Sequence, residues 1–538
     1  MEKLWKIKGQ FSGNLLDDVI NVRGLSKSEF FADRDLTTLL QALQLNTLSA
    51  KQTILKHISA GNPIYIHGDY DVDGICATAI LYKTFVQDLD YKNCFYFIPN
   101  RFEDGYGLSK ESVDKINTLN TKKGPKLLIT VDCGITAIDS TNYARKLGFE
   151  VIITDHHQPL ESLPNADSIV WTDKLCGAGI ILALSVKLTG RVTPDYLALA
   201  AIATVADIQK IVGINRTLVK QGLEILATTP PISMQKLFEV AALKTERFGT
   251  YEIGWVVGPR LNAAGRLESA LSSLQLLLTQ DPQEALTLAL ALNKANQERQ
   301  SKTLETLLQA KASLNTDAKV LLSIGKTYHE GIIGLVAGKL AQEFYKPSIV
   351  LSQGELLSKG SARSIAGVDI VGLLRSLGPD LFEGLGGHPM ACGFTIKNEN
   401  IDLLRTKLAE ASSVISEEDL IPKLEVDLEV PLGEIVYGWL KILKQFEPYG
   451  YGNPEIVLVS RGTKVSEVRV VGSTGTHLKL KFYDTVGGKY WNGIFFGGSS
   501  YAPLLTGKLV DIAFTIKENV YNGMSTLELQ IKDLKIAS

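Results

Sequence analysis

The chain is predicted to be an α/β protein: a parallel-sheet domain, a smaller α/β domain joined to it by a long helix, and a C-terminal β-barrel of the OB type. Three patterns carry this. Between about residues 62 and 208, short apolar runs alternate with helical stretches of 10 to 15 residues, the signature of a parallel sheet wound by right-handed crossovers. Pro282 to Leu314 is a long helical pattern with few breakers. From about residue 424 the runs become short and alternating, with turn residues recurring at roughly ten-residue spacing, which suits a small barrel.

The elements follow in order. Pro63-Ile64-Tyr65-Ile66 reads as a strand, with a helix from Ile75 to Asp88; Cys94 to Ile98 is the next strand, followed by a helix from Ser109 to Leu119. Lys126 to Val131 and a helix from Thr136 to Leu147 come third, and Val151 to Thr154 and Ser168 to Trp171 add two more strands. Residues 177 to 315 read as mostly helical. A second α/β unit has strands at Lys319 to Ile324 and Ser348 to Leu351 around a helix from Gly331 to Phe344, then a Gly-rich stretch, Gly384 to His388, ahead of Ala391 to Ile396. His477 to Phe482 and Leu527 to Ile531 are barrel strands. The resulting division is 1–50 as an N-terminal extension, 51–270 as the parallel-sheet domain, 271–316 as the connecting helix, 317–415 as the smaller α/β domain and 424–538 as the barrel.

Composition excludes several classes. At 538 residues the chain exceeds one core. No apolar stretch approaches the ~18 residues of a membrane span, and Met1-Glu2-Lys3-Leu4-Trp5-Lys6 lacks the apolar region of a secretory signal. The five cysteines form no CxxC pair, so a cytoplasmic protein with reduced, buried thiols is expected. The net charge of −2 does not announce nucleic-acid binding, which must rest on local basic clusters.

The scarce histidines are more telling. Of seven, two stand together in Asp155-His156-His157 at the end of an apolar run, and His67 closes another run and opens His67-Gly-Asp-Tyr-Asp-Val-Asp-Gly74. In a parallel sheet the carboxyl ends of the strands are where ligands sit. His67, Asp71 and Asp73 converge from one strand-to-loop turn, Asp132 ends a neighbouring strand, His156 comes from the next, and Asp207 closes an apolar helical run. Each alone has an ordinary explanation as a cap, turn or acidic loop. Together, in order, at the ends of one sheet, they make a mixed His/Asp set larger than one catalytic ion needs. The set suits two divalent cations about 3.5–4 Å apart working in line at phosphorus. Oxygen-rich ligation with some imidazole favours manganese, then magnesium, over a thiolate-type zinc site.

These residues resemble the DHH phosphoesterase superfamily and, more narrowly, the RecJ single-stranded-DNA exonucleases. His67 to Gly74 is similar to the first family motif, Val131-Asp-Cys-Gly134 to the second, Asp155-His-His157 to the third and Ala206-Asp207 to the fourth. Gly258-Pro-Arg-Leu-Asn-Ala-Ala-Gly-Arg-Leu267, His329-Glu-Gly-Ile-Ile-Gly334, Lys359-Gly-Ser-Ala-Arg-Ser364 and Gly386-Gly-His-Pro-Met-Ala391 resemble RecJ segments, as does the stretch from Phe446 through Pro454 into the barrel. The resemblance implies Asp71, Asp73, Asp132, His156 and Asp207 as metal ligands, with His67 a sixth. Asp69 would orient the loop beside them, and His157 would face the scissile phosphate. One departure is Gln209-Lys210-Ile211, where the family has a Val-Pro-type turn.

For the substrate, Arg101, Arg260, Arg266 and Arg363 are expected to grip phosphate, with Ser361 and the Gly386-Gly387-His388 loop adding donors. The barrel offers Arg461, Lys464, Arg469, Lys479 and Lys481 among Phe482, Tyr483, Tyr490 and Trp491, a combination that could track a strand and stack its bases. The implied activity is metal-dependent 5′–3′ hydrolysis of single-stranded DNA to 5′-mononucleotides, in DNA repair and recombination. The implied protein is a monomer, fed by a helicase or single-strand-binding protein. The alternatives are a phosphodiesterase of the same superfamily acting on small substrates, and a non-catalytic DNA-binding scaffold.

Overall fold

The first strand of the chain, β1 (Leu4–Gln10), finds its partner some 400 residues away, and the contiguous fold begins only with the next strand. β2 (Ile64–Gly68), β3 (Cys94–Phe97), β4 (Lys126–Val131), β5 (Phe149–Asp155) and β6 (Ser168–Trp171) form a parallel sheet in the order β3-β2-β4-β5-β6. The computed structural model describes residues 3–101, 103–119, 124–244, 248–267, 269–521 and 524–537. Contacts divide the chain into two units, Asp33–Ser416 with Gly450–Asn453, and Met1–Ala32 with Glu417–Tyr449 and Pro454–Ser538.

In the first unit the sheet is covered on both faces, as a parallel sheet must be. Successive side chains alternate sides. Ile64, Ile66, Leu127, Ile129 and Ile152 join one core, while Tyr65, Leu128, Val151 and Ile153 join another on the opposite face. Against the first face lie the helices Val72–Lys83, Gly177–Thr189 and Pro194–Ala206. All three are apolar nearly all round, which is why they are buried rather than amphipathic. The strand order reverses between β2 and β4, so a crevice opens at the carboxyl ends of these two strands.

The helix Pro282–Ala312 carries the chain onward, started by Asp281 accepting from Gln283 N and by Pro282 in its first turn. At about 1.5 Å per residue its 31 residues reach roughly 46 Å. Ala285, Ala289 and Leu292 are buried in the core of the large sheet, whereas Leu307 and Ala310 are buried with Val336, Leu340 and Val350 in a second core. That core belongs to a mixed sheet of β7 (Leu321–Gly325), β8 (Ser348–Gln353), β9 (Leu357–Arg363), β10 (Gly384–His388) and β11 (Ala391–Lys397), ordered β10-β11-β9-β8-β7. The helix Ile333–Phe344 packs on it.

In the second unit β12 (Lys423–Glu429), β13 (Leu458–Val471), β14 (His477–Tyr483), β15 (Tyr490–Phe495), β16 (Leu509–Tyr521) and β17 (Met524–Ile536) follow. β13-β14-β15-β17-β16 closes on itself through a β13–β16 pairing, giving the five-stranded barrel. Alternation in β14 buries Leu478, Leu480 and Phe482. β1 pairs in parallel with β12, and Leu15, Val19 and Ile20 of the helix Leu15–Val22 enter the barrel core. The segment expected as one N-terminal extension is therefore divided: up to residue 32 it belongs with the barrel, and beyond that with the parallel sheet. Among the described residues no helix is long and apolar enough to cross a membrane.

Candidate metal centre and phosphate cleft

The loop after β2 delivers three carboxylates. Asp71 caps the helix Val72–Lys83, accepting from Asp73 N at 2.9 Å and Gly74 N at 3.1 Å, and this fixes the path of the turn. Gly74 is required there, because a Cβ would stand 2.5 Å from the Asp69 carbonyl oxygen. Asp73 is held from the other side: Gly177 N and Ala178 N, at the start of the helix Gly177–Thr189, donate to its two oxygens at 2.6 and 2.7 Å. Asp132 takes a left-handed φ of +62° just past β4, a strained position for a residue with a side chain. Gly177 makes room for it, since a Cβ would lie 2.6 Å from the Asp132 Cβ.

β5 brings the imidazoles. His156 Nε2 lies 3.1 Å from Asp132 and 3.7 Å from both Asp73 and Asp207. Asp155 accepts from the backbone of Ile135, His156 and His157 and lies 2.7 Å from His157 Nδ1, so it locks the turn. The other ring nitrogen of His157 is 3.0 Å from the Tyr106 hydroxyl. Burial works against charge on His157, but the hydrogen bond and charge of Asp155, with Asp207 and Asp69 behind it, push its pKa up to about 9.

Three groups of side chains can each place one ligand atom within 4.8 Å of the others: Asp69, Asp71 and Asp132; Asp73, His156 and Asp207; and Asp132, His156 and His157. Burial and mutual repulsion raise the Asp69, Asp71 and Asp132 carboxyls above their ordinary range and push Asp207 up to about 8. Asp69 Oδ1 is buried without a hydrogen-bond partner among the described residues. Crowded, buried carboxylates facing imidazole need a cation to neutralise them, and the donor set fits divalent metal. His67 stands apart. It belongs to none of the three groups, burial lowers its pKa to about 4, and its Nδ1 is 3.5 Å from Cys133 Sγ.

Beside the carboxylates is a cleft of about 680 Å³ whose lining includes Tyr70, Arg101, Tyr106, Arg266, Ser361 and Arg363. Arg363 donates to Ser361 Oγ and to the Ala362 carbonyl, and Gly334, in the first turn of the helix Ile333–Phe344, leaves space for both side chains. Arg101 lies over the Tyr70 ring. Burial, together with Arg101, Arg299 and Arg363, lowers Arg266 to about 10. Among the described residues Arg101, Arg266 and Arg363 form no ion pair. A second groove of about 310 Å³ shares Arg266 and runs from Ala206 and Ile208, on either side of Asp207, past Arg299 to Trp255. Trp255 is two-thirds exposed and stacks on the exposed Tyr251.

The expected residues are thus partly assembled. Asp71, Asp73, Asp132, His156 and Asp207 converge, and Asp69, expected to orient the loop, stands within the cluster. Arg101, Arg266, Ser361 and Arg363 meet in the cleft. Arg260 is turned elsewhere, donating to Asn293 Oδ1 and the Val256 carbonyl. The Gly-rich segment is an edge strand rather than a loop: Gly384, Leu385 and Gly386 line the cleft, while Gly387 and His388 are exposed. Tyr106 and Trp255 were not singled out in the sequence, and Asp155 and Gln209 were noted there without a role at the site. An isolated Tyr or Gln carries no spacing signal, although Asp155 sat within a motif already noted.

Histidine and aspartate thus converge at the switch point of the parallel β3-β2-β4-β5-β6 sheet. The DHH family N-terminal domain matches residues 63–204, the DHHA1 domain residues 317–414 and the RecJ OB domain residues 426–533. The chain belongs to the RecJ family. It is 31% identical to the single-stranded-DNA-specific exonuclease RecJ of Haemophilus influenzae, over 96% of this chain and 95% of that one. It is 33% identical to the protein of that name from Bacillus subtilis, over 91% of this chain, and spans 63% of that longer relative. Among solved structures, RecJ of Thermus thermophilus in complex with Mn2+ superposes with a TM-score of 0.85 at 27% identity, covering 99% of this chain and 80% of that one. An exonuclease RecJ bound to manganese gives 0.61 at 31% identity, covering 70% and 96%.

Proposed function

We propose that this protein is a metal-dependent exonuclease that hydrolyses single-stranded DNA from its 5′ end to 5′-mononucleotides, in repair and recombination. The observation that carries this reading is the junction of a buried carboxylate–imidazole cluster with a cleft of arginines that have no acidic partner. Asp69, Asp71 and Asp132 would hold one divalent cation and Asp73, His156 and Asp207 a second; manganese is the first choice and magnesium the second. The cations, when bound, would acidify a water and neutralise charge at the scissile phosphate.

The chain's own residues do the rest. Arg101, Arg266, Arg363 and Ser361 present guanidinium and hydroxyl donors to a terminal phosphate, and the first turn of the helix Ile333–Phe344 adds its dipole. His157, oriented by Asp155, offers its second nitrogen as a donor to a phosphate oxygen. The groove past Arg299 to Trp255 accommodates the strand beyond the reacting phosphate, with an aromatic face for a base. None of these contacts reads a base edge, so the enzyme is indifferent to sequence.

The test is release of 5′-mononucleotides from end-labelled single-stranded and duplex DNA, with manganese and with chelator. Asp132→Ala is expected to lower single-strand hydrolysis on the order of a thousandfold or more while leaving circular dichroism unchanged. Full activity in a pure preparation of that variant would sink the scheme.

A further inference from the structure

Gln209 follows Asp207 by two residues and touches two members of one proposed ligand group. Ile208 adopts φ +57°, which turns the chain back so that Gln209 N donates to the Thr204 carbonyl at 3.1 Å. The side chain then folds over the cluster. Its amide nitrogen lies 2.9 Å from Asp207 Oδ2 and 3.1 Å from His156 Nδ1. The opposite ring nitrogen, Nε2, is the one that faces Asp132, Asp73 and Asp207.

We infer that Gln209 is a positioning residue that sets the tautomer of His156 for cation binding and holds Asp207 in the cation-free state. The inference rests on the reading of Asp73, His156 and Asp207 as a cation site. An imidazole holds a cation through a bare nitrogen, so Nε2 serves only when the proton sits on Nδ1, and that proton needs an acceptor. A carboxamide offers a donor or an acceptor from nearly the same place by a half-turn of its plane. With nitrogen toward Nδ1 it favours the proton on Nε2, directed at Asp132; with oxygen toward Nδ1 it favours the bare Nε2 a cation requires. An aliphatic side chain at this position could do neither. Gln209 therefore satisfies His156 in both states, while the amide nitrogen that faces Nδ1 also holds Asp207 and, on the half-turn, frees that carboxylate for the cation.

The experiment uses the full chain stripped of metal, titrated calorimetrically with Mn2+. Gln209→Leu keeps the volume and removes both hydrogen-bonding groups; it is expected to bind Mn2+ about tenfold to a hundredfold more weakly, with an unchanged melting temperature for the stripped protein. Tautomers are read by NMR on protein labelled with 15N at its seven histidines, using diamagnetic Zn2+ as the probe and His156→Ala to assign the signal. In the native chain Zn2+ should shift the His156 proton to Nδ1, and Gln209→Leu should weaken that shift. Gln209→Glu, a fixed acceptor, should hold the proton on Nδ1 even without metal and restore Mn2+ binding. Native affinity in Gln209→Leu, or equal losses in the Leu and Glu variants, overturns the inference. If instead His156→Ala binds Mn2+ as tightly as the native chain, the ligand assignment itself fails, whatever Gln209 does.

Discussion

The cleft of the first unit and the surface of the barrel both gather cations and treat them in opposite ways. On the barrel, Arg461 pairs with Asp511 at 2.7 Å and Glu429 at 3.4 Å, Lys481 with Glu467 at 3.0 Å, Lys479 with Glu528, and Lys532 with Glu455 at 2.8 Å. Lys464 and Arg469 make no ion pair among the described residues. In the cleft, burial first and then the neighbouring guanidiniums depress the basicity of Arg266 and Arg363. Guanidiniums placed together against their own repulsion, with no carboxylate in ion-pair contact, are open to an anion that arrives. Paired cations are already complete. Under the proposed function, the difference assigns phosphate recognition to the cleft and a weaker, more diffuse electrostatic contribution to the barrel.

Four variants press on that contrast. The largest expected effect is structural: Arg23 makes a buried two-pronged ion pair with Asp427 in the barrel unit, at 2.8 and 2.9 Å. Arg23→Ala strands a buried carboxylate and should lower stability by about 3–5 kcal/mol in chemical denaturation, with cleft chemistry unaffected in the folded fraction. Arg363→Ala should show the reverse pattern, losing about tenfold to a hundredfold in kcat/KM on 5′-phosphorylated single strands with little loss of stability; an equal loss on strands lacking the phosphate would remove it from phosphate recognition. Trp255→Ala should weaken binding of longer oligonucleotides about tenfold and spare a dinucleotide, as measured by fluorescence anisotropy, with Trp255→Phe recovering most of the affinity. Lys481→Ala should change strand affinity by less than about threefold, because it removes an already paired, exposed cation. A large loss there would overturn the comparison.

Much of the metal centre was legible because its residues ride on motifs at strand ends. Short continuous apolar runs placed β2, β4 and β5, and the histidines and aspartates at their ends lie at the crevice. The same logic failed where a side chain's direction matters more than its place in the chain. Arg260 and Arg266 share one helix and a six-residue spacing, yet only Arg266 faces the cleft. At 100° per residue they lie on different sides of the helix. The barrel aromatics divided in a similar way: Phe482 and Trp491 are core, while Tyr490 is exposed with Lys481 over its ring.

The sequence by itself determined the α/β class, the long connecting helix, the closed barrel and the set of residues crowded at the sheet switch point. Those follow from local periodicity and from the rule that parallel strands deliver their loops to one edge. Tertiary structure alone decided that β1 pairs with β12 across the length of the chain, that Asp69 joins the cluster while His67 stands behind Cys133, and that Gln209 reaches back to His156. Strand pairing between distant segments depends on burial that no local window records, and single polar contacts depend on the path of a turn, such as the left-handed step at Ile208.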